Sequence, residues 1–252
     1  MKFYKYNSTG NDFILIQGVP SASFNRQRII ELCHRNLGIG ADGLFFVSHL
    51  EGGNDLNIVM YNSDGSEASM CANGCRATIH FAKHVLNINE KVNLHTKSGI
   101  YKGYVKNNAS HLEFLQYPKI LKTGIQIENY EVAYINSGCE QAVIEVESLD
   151  NLKIEESGPL VRHSKEFPHG VNVNFYKLDG ETVRIRTYEK GCERETLSCG
   201  TGVMATAMFL FEKSGKREFS FQTKGGELFV RFEKDLALYF GEVSLVYTGI
   251  IT

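Results

Sequence analysis

The sequence predicts an α/β protein of two pseudo-symmetric lobes from an internal duplication, each a mixed, mostly antiparallel sheet wrapped around a central helix. The first observation behind this is a repeat. Cys71-Ala72-Asn73-Gly74-Cys75-Arg76-Ala77-Thr78 with Phe81 is answered by Cys199-Gly200-Thr201-Gly202-Val203-Met204-Ala205-Thr206 with Phe209, in one register. Around it lie matching flanks: Glu67 and Glu195 each precede a cysteine by four residues, and Thr96-Lys97-Ser98-Gly99 answers Thr223-Lys224-Gly225-Gly226. Gly40 to Phe46 answers Gly170 to Tyr176 more loosely. The second observation is that short strand-like runs outnumber helical ones in both halves. The third is the segment from Val203 to Phe211, apolar on nearly all sides, which only a surrounding sheet can cover.

In order, residues 3–6 and 13–17 read as strands separated by Asn7-Ser8-Thr9-Gly10-Asn11-Asp12, all turn chemistry. Residues 25–36 carry Ile29, Ile30, Leu32 and Cys33 at helical spacing and stop before Gly38. Strands are predicted at 44–47 and 56–61, then a polar loop over 62–67, then a helix over 76–86. Residues 92–95 and 100–105 form a predicted hairpin, with 111–115 beside it. A crossing between lobes is predicted near 116–126, marked by Pro118 and Gly124. Residues 134–138 and 142–146 repeat the opening of the first half. A helix is predicted at 160–167, strands at 171–178 and 182–188, a loop over 189–198 and the second central helix over 203–213. Strands at 218–222, 228–232 and 237–240 follow, and 242–250 returns to the first lobe. The predicted domains are therefore 1–116 with 242–252, carrying Cys71, and 117–241, carrying Cys199.

A Gly-rich segment opening a helix leaves backbone N–H groups unpaired and places the positive end of the helix dipole at its first residues, which suits an anion. A cysteine there is expected to have a lowered pKa, as a sulfur base requires. Two such helices facing one another across a pseudo-twofold axis would set one sulfur on each face of a ligand in the cleft. That is a geometry for taking a proton from one side of a carbon and returning one to the other.

The bulk numbers exclude several other classes. The chain has 252 residues, 42% hydrophobic and 22% charged, enough for a sizeable core. Its 27 basic and 29 acidic residues give a net charge of −2, so neither a nucleic-acid footprint nor a membrane-surface patch is expected. No apolar run reaches spanning length and residues 1–6 lack a signal-peptide core, which predicts a cytoplasmic protein. The six cysteines, Cys33, Cys71, Cys75, Cys139, Cys192 and Cys199, read as reduced thiols, with Cys33, Cys75 and Cys139 as small fillers. Cys71 and Cys75 lack the further pair or His cluster of a zinc site, so no metal is expected. His34, His80 and His169 have no partner at thiol-protease spacing, and no phosphate loop or dinucleotide fingerprint occurs, so no cofactor is expected.

Six segments, taken together and in order, resemble the diaminopimelate epimerase family: Thr9 to Phe13, Gly38 to Gly43, Tyr61 to Glu67, Cys71-Ala72-Asn73-Gly74, Gly170-Val171-Asn172, and Tyr188-Glu189 through Gly191 to Cys199-Gly200-Thr201-Gly202. The resemblance implies a cofactor-independent epimerase that converts LL-diaminopimelate to the meso form. It makes Cys71 and Cys199 the acid/base pair. Asn73, Gly74, Gly200 and Thr201 would hold the carboxylate at the reacting centre, and Asn11, Asn62, Asn172 and Glu189 the distal groups. The implied partner is a small amino-acid substrate, with a homodimer as the assembly to consider.

Three departures from the family pattern bear on the substrate. Lys190 stands where the family has arginine, a point charge in place of a planar clamp. Ala72 stands where glycine is usual. Gly138-Cys139-Glu140-Gln141 replaces a glycine followed by Asn or Ser and then Pro-His. A racemase for another amino acid, histidine for example, and a binding protein without turnover therefore stay open beside the epimerase.

Overall fold

The computed structural model describes residues 1–50 and 53–251. The chain divides into two compact units, Met1–Glu113 with Phe240–Thr252, and Phe114–Tyr239.

The first unit opens with β1 (Lys2–Ser8) and β2 (Asn11–Gln17), an antiparallel pair joined at Thr9 and Gly10, both at positive φ. Helix α1 (Arg26–Cys33), N-capped by the Asn25 side chain, carries the chain to β3 (Gly43–His49), parallel to β2. Strand β4 (Asp55–Asn62) returns antiparallel to β3, and the short β5 (Glu67–Ala68) pairs with its far end. Helix α2 (Ala72–His84) then crosses to β6 (Val92–Thr96), parallel to β4, followed by β7 (Gly99–Lys106) and β8 (Ala109–Phe114).

The second unit repeats this plan. Strands β9 (Lys119–Ile127), β10 (Tyr130–Asn136) and β11 (Glu140–Glu145) run antiparallel in turn, and α3 (Ile154–Arg162) leads to β12 (Asn172–Asp179), parallel to β11. Strand β13 (Thr182–Glu189) returns, with the short β14 (Arg194–Thr196) on its end. Helix α4 (Gly200–Ser214) crosses to β15 (Glu218–Thr223), parallel to β13, and β16 (Gly226–Phe232) completes a hairpin. Strand β17 (Ala237–Glu242) then leads to β18 (Ser244–Ile250), which pairs antiparallel with β1. Among these pairings the sequence antiparallel, antiparallel, parallel, antiparallel, parallel, antiparallel is common to both units. The helix before each parallel partner makes the crossover that parallel strands require.

The central helices are covered as the apolar pattern requires. In α2 the buried residues include Cys75, Ala77, Ile79, Phe81 and Ala82; in α4 they include Val203, Met204, Ala205, Ala207, Met208 and Leu210. Helices α1 and α3 cover a second apolar layer in each unit. Ile29 and Leu32 pack with Ile14, Ile16, Leu44 and Phe46, while Ile154 and Val161 pack with Val132, Ile144, Val173 and Phe175.

Several expectations are corrected. The segment predicted as a crossing is strand β9, an edge strand exposed along most of its length with Ile125 and Ile127 turned inward. Pro118 lies just before it, and Gly124, at φ 72°, lies in the stretch where register with β10 shifts. The helix predicted at 160–167 lies earlier, at Ile154–Arg162. Glu155 and Glu156 occupy its first turn, where acidic side chains are favoured, and Ile154, Gly158 and Val161 form its buried face. Gly158 suits that face because a Cβ there would lie 2.4 Å from the Tyr188 ring. Both central helices start earlier than predicted, immediately after their cysteines, and the loop expected at 189–198 contains β14.

Strand register also moves the loosest part of the repeat by one residue. Tyr61 lies opposite Leu44 and Glu67; Tyr188 lies opposite Val173 and Glu195. Leu44 therefore answers Val173, Gly43 answers Asn172, and Asn62 answers Glu189.

Candidate active site

In the first unit Cys71 is the N-cap residue of α2, with extended backbone (φ −142°, ψ 111°) and a carbonyl that accepts from the Cys75 amide at 2.8 Å. Its sulfur lies 4.0 Å from Asn11 Oδ1, which also accepts from Asn73 Nδ2 at 3.4 Å. The orientation of the Asn11 amide follows from Asp42. A carboxylate accepts only, so Asn11 Nδ2, 2.7 Å from Asp42 Oδ2, must be the donor and Oδ1 is left for Cys71 and Asn73. The fully buried Arg76 donates to Asn73 Oδ1 at 3.0 Å and Thr9 Oγ1 at 2.8 Å, which fixes the other end of the Asn73 amide.

Asp42 belongs to a charged cluster behind Asn11. Arg35 Nη2 reaches Asp12 Oδ1 at 2.8 Å and Asp42 Oδ1 at 2.7 Å, and the Lys5 ammonium contacts Asp12 and the Gly40 carbonyl. Burial alone would raise the Asp12 carboxyl, but Arg35 and Lys5 outweigh it and hold it down at about 2. A depressed carboxyl contributes stability that is full above its unfolded value of about 3.9 and is lost as pH falls through about 2. Asp12→Asn is accordingly expected to flatten the acid limb of stability in that window, read as urea midpoints against pH.

The second unit builds the same setting from different residues. Cys199, 5% exposed, is the N-cap of α4 at φ −125° and ψ 107°, and its carbonyl accepts from the Val203 amide at 3.0 Å. Its sulfur lies 3.5 Å from Thr201 Oγ1. The same hydroxyl receives Cys139 Sγ at 3.3 Å and Gln141 Nε2 at 3.0 Å. Gln141 Nε2 also donates to Cys139 Sγ at 2.9 Å, and Asn172 Nδ2 approaches that sulfur at 3.5 Å. Asn172 Oδ1 is taken by the Lys190 amide at 2.8 Å.

The lowered cysteine pKa expected from the helix N-terminus is reversed at Cys199. Burial pushes this thiol well above its ordinary value, and the charge of Glu189 and the neighbouring Cys139 push the same way. Hydrogen bonds from Thr201 and the Gly202 amide act in the opposite direction and lose. A short polar cap does not replace the water that a thiolate gives up on burial. Burial in this setting favours the thiol over the thiolate. The Cys139 thiol is also raised, by the protein groups crowded around its sulfur and against hydrogen bonds from Thr201 and Gln141, although the residue as a whole is exposed.

Of the predicted site residues, the structure gathers Asn11, Cys71 and Asn73 in one cluster, and Asn172, Cys199, Gly200 and Thr201 with the charge of Glu189 in another. Gly74 and Gly202 lie where the helix meets the sheet: a Cβ at Gly74 would fall 2.0 Å from the Phe45 ring, and at Gly202 1.9 Å from Asn174 Oδ1. Asn62 ends β4 with its amide 3.0 Å from Ser66 Oγ. The Lys190 ammonium donates to the His169 and Gly170 carbonyls at 2.5 and 3.3 Å. Asp42, Arg76 and Gln141 join the residues predicted for the site. Cys139, in the segment that departs from the family pattern, is an exposed residue with polar partners and not a small filler, and it stands where Asn11 stands in the other repeat.

Among the described residues, no group of three His, Cys, Asp or Glu side chains could hold a metal ion, and no helix is long and apolar enough to cross a membrane.

The fold recurs in solved structures of a PhzC/PhzF phenazine biosynthesis protein from Clostridium difficile (TM-score 0.77, 16% identity, 100% of this chain and 99% of that one) and a hydroxyproline epimerase from Agrobacterium vitis (TM-score 0.75, 14% identity, 99% and 90%). Two repeated units, each with a cysteine capping a Gly-containing helix, thus lie in a fold shared with amino-acid epimerases. A family model described as diaminopimelate epimerase matches residues 3–117 and 133–246. Diaminopimelate epimerases of Methanocella arvoryzae (35% identity, 99% of this chain and 96% of that one) and Flavobacterium psychrophilum (35%, 95% and 93%) match along nearly their full lengths. The chain belongs to the diaminopimelate epimerase family.

Proposed function

We propose that the chain converts LL-diaminopimelate to the meso form in the cytoplasm, in the formation of lysine and peptidoglycan precursors, with Cys71 and Cys199 as its two proton-transfer groups. The observation that carries this reading is the matched setting of the two cysteines. Each is the extended N-cap of a central helix, and each has a side-chain oxygen partner near its sulfur. Inversion at an α-carbon needs one group to remove the proton and a second to deliver one to the opposite face. A duplicated unit supplies two groups of the same kind.

The amides at Asn73 and Gly74, and at Gly200 and Thr201, belong to the first turns of α2 and α4. In this reading they bind the carboxylate of the reacting centre and stabilise the negative charge that develops there when the α-proton leaves. Asn11, Asn62, Asn172, Glu189 and Lys190 bind the distal amino and carboxylate groups. Burial and the Glu189 charge favour the protonated form of Cys199, the form in which it can deliver a proton.

A second reading keeps the chemistry and changes the substrate. It is favoured by Lys190, whose ammonium is engaged with two backbone carbonyls and offers a distal carboxylate less than a free clamp would. One experiment addresses both. Reduced protein is incubated in deuterated water with LL-diaminopimelate, histidine, glutamate and lysine, and the α-proton signal is followed by NMR. Loss of the signal fastest with diaminopimelate is the expected result. Faster loss with another amino acid selects the second reading, and no exchange with any of them removes both.

A further inference from the structure

Two parts of the repeat, the glutamate four residues before each cysteine and the Thr-Lys turn, have no place in the proton transfer just described. The structure brings them together in both units. In the first, Lys97 Nζ lies 3.3 Å from Glu67 Oε2, and the Ser98 amide donates to the Ser69 carbonyl at 3.2 Å. In the second, Lys224 Nζ lies 2.7 Å from Glu195 Oε2, and the Gly225 amide donates to the Leu197 carbonyl at 2.8 Å. Ser69 and Leu197 each stand two residues before a cysteine. The turns themselves are alike. Thr96 Oγ1 and Thr223 Oγ1 donate to the carbonyls of Gly99 and Gly226 at 2.8 Å, and those glycines sit at φ 132° and 131°.

From this we infer that each hairpin turn is a strap that positions the cysteine of its own unit, with Lys97 acting on Cys71 and Lys224 on Cys199. The inference rests on the reading of the two cysteines as proton-transfer groups, and the test below separates the two. The cysteine backbone leaves a two- or three-residue strand, β5 or β14, and turns at once into a helix. Between those anchors the segments Ser69-Met70 and Leu197-Ser198 lie beyond the paired residues of β5 and β14. The strap supplies a carbonyl partner inside that gap and an ion pair at its upstream end. A backbone displaced by a fraction of an ångström there carries the sulfur with it, which affects proton transfer far more than folding.

The two straps differ in reinforcement. Glu195 is also gripped by Arg186, with Nε at 2.7 Å and Nη2 at 2.9 Å, and it is largely buried. Glu67 is paired to Lys97 in a half-exposed setting. Loss of the lysine therefore loosens the first strap more than the second.

The test uses Lys97→Met, Lys224→Met and the conservative Lys97→Arg in the full chain. It reads kcat and KM, the thermal midpoint, and the rate at which iodoacetamide modifies each cysteine, resolved by peptide mass spectrometry. Lys97→Met is expected to lower kcat about three- to fivefold at unchanged KM and midpoint, the size of a weak ion pair expressed in a rate. It is expected to change the Cys71 modification rate by a similar factor while Cys199 keeps its own. Lys224→Met should act on Cys199 alone and more weakly, and Lys97→Arg should restore both readings. Unchanged modification rates, equal changes at both cysteines, or no rescue by arginine would overturn the inference. Modification is read without substrate, so absence of turnover on every amino acid tried leaves that result standing and counts only against the epimerase.

Discussion

Cys199→Ala is expected to cut epimerisation of LL-diaminopimelate by about 10²- to 10⁴-fold, the range a positioned acid or base contributes. Cys71→Ala is expected to do the same. Cys199 lies against Thr201 and the first turn of α4, so a methyl group in its place leaves the helix start and its carbonyl bond to Val203 intact. The loss should therefore appear in kcat, with thermal stability lowered by no more than about 1 kcal/mol for one small buried atom. The decisive comparison is with serine. Cys199→Ser keeps a proton donor and loses a base, so it should retain more α-proton exchange than the alanine variant. Wild-type turnover in either alanine variant would remove the two-base scheme.

The second large effect is expected at the glycines three residues into each repeat. Gly74→Ala places a methyl 2.0 Å from the Phe45 ring, and Gly202→Ala places one 1.9 Å from Asn174 Oδ1. Neither neighbour has room to retreat. Phe45 packs on Phe13 with ring centroids 4.8 Å apart, and Asn174 bonds Gln141, Ala142 and Thr187. Overpacking of this kind costs about 1–3 kcal/mol or more. It pushes the helix N-terminus off the sheet, so stability and activity should fall together. Urea denaturation with parallel kinetics checks this, and a Gly202→Ala protein with normal midpoint and rate would contradict the packing account.

Those same contacts show what could be read from sequence. Cys71, Cys199 and the helices behind them were legible because the repeat keeps identical residue types where the helix enters the sheet. Phe13 and Phe45 were legible as strand residues, yet their counterparts are Gln141 and Asn174, an amide pair in place of an aromatic one. Hydrophobic periodicity follows apolar residues and says nothing of a buried polar pair satisfied by its neighbours, so the network around Thr201 went unread. Pro118 and Gly124 mark a crossing where strand β9 lies, and the strand buries no side chain before Ile125 that would outweigh them. The raised thiol of Cys199 is hidden for a related reason: sequence reveals the helix terminus that lowers a pKa and not the burial that raises it. The contacts of the Lys190 ammonium with the His169 and Gly170 carbonyls are likewise invisible in sequence, because they depend on where the Gly170 turn brings the backbone.

Strand β18 has an implication for synthesis. The edge strand beside β1 comes from residues 244–250, while the corresponding strand of the second unit, β9, immediately precedes its partner β10. On the ribosome the later half can pair its own edge as soon as it emerges. The earlier half must wait, with the outer side of β1 open to unwanted strand pairing, until residues 244–250 have been made.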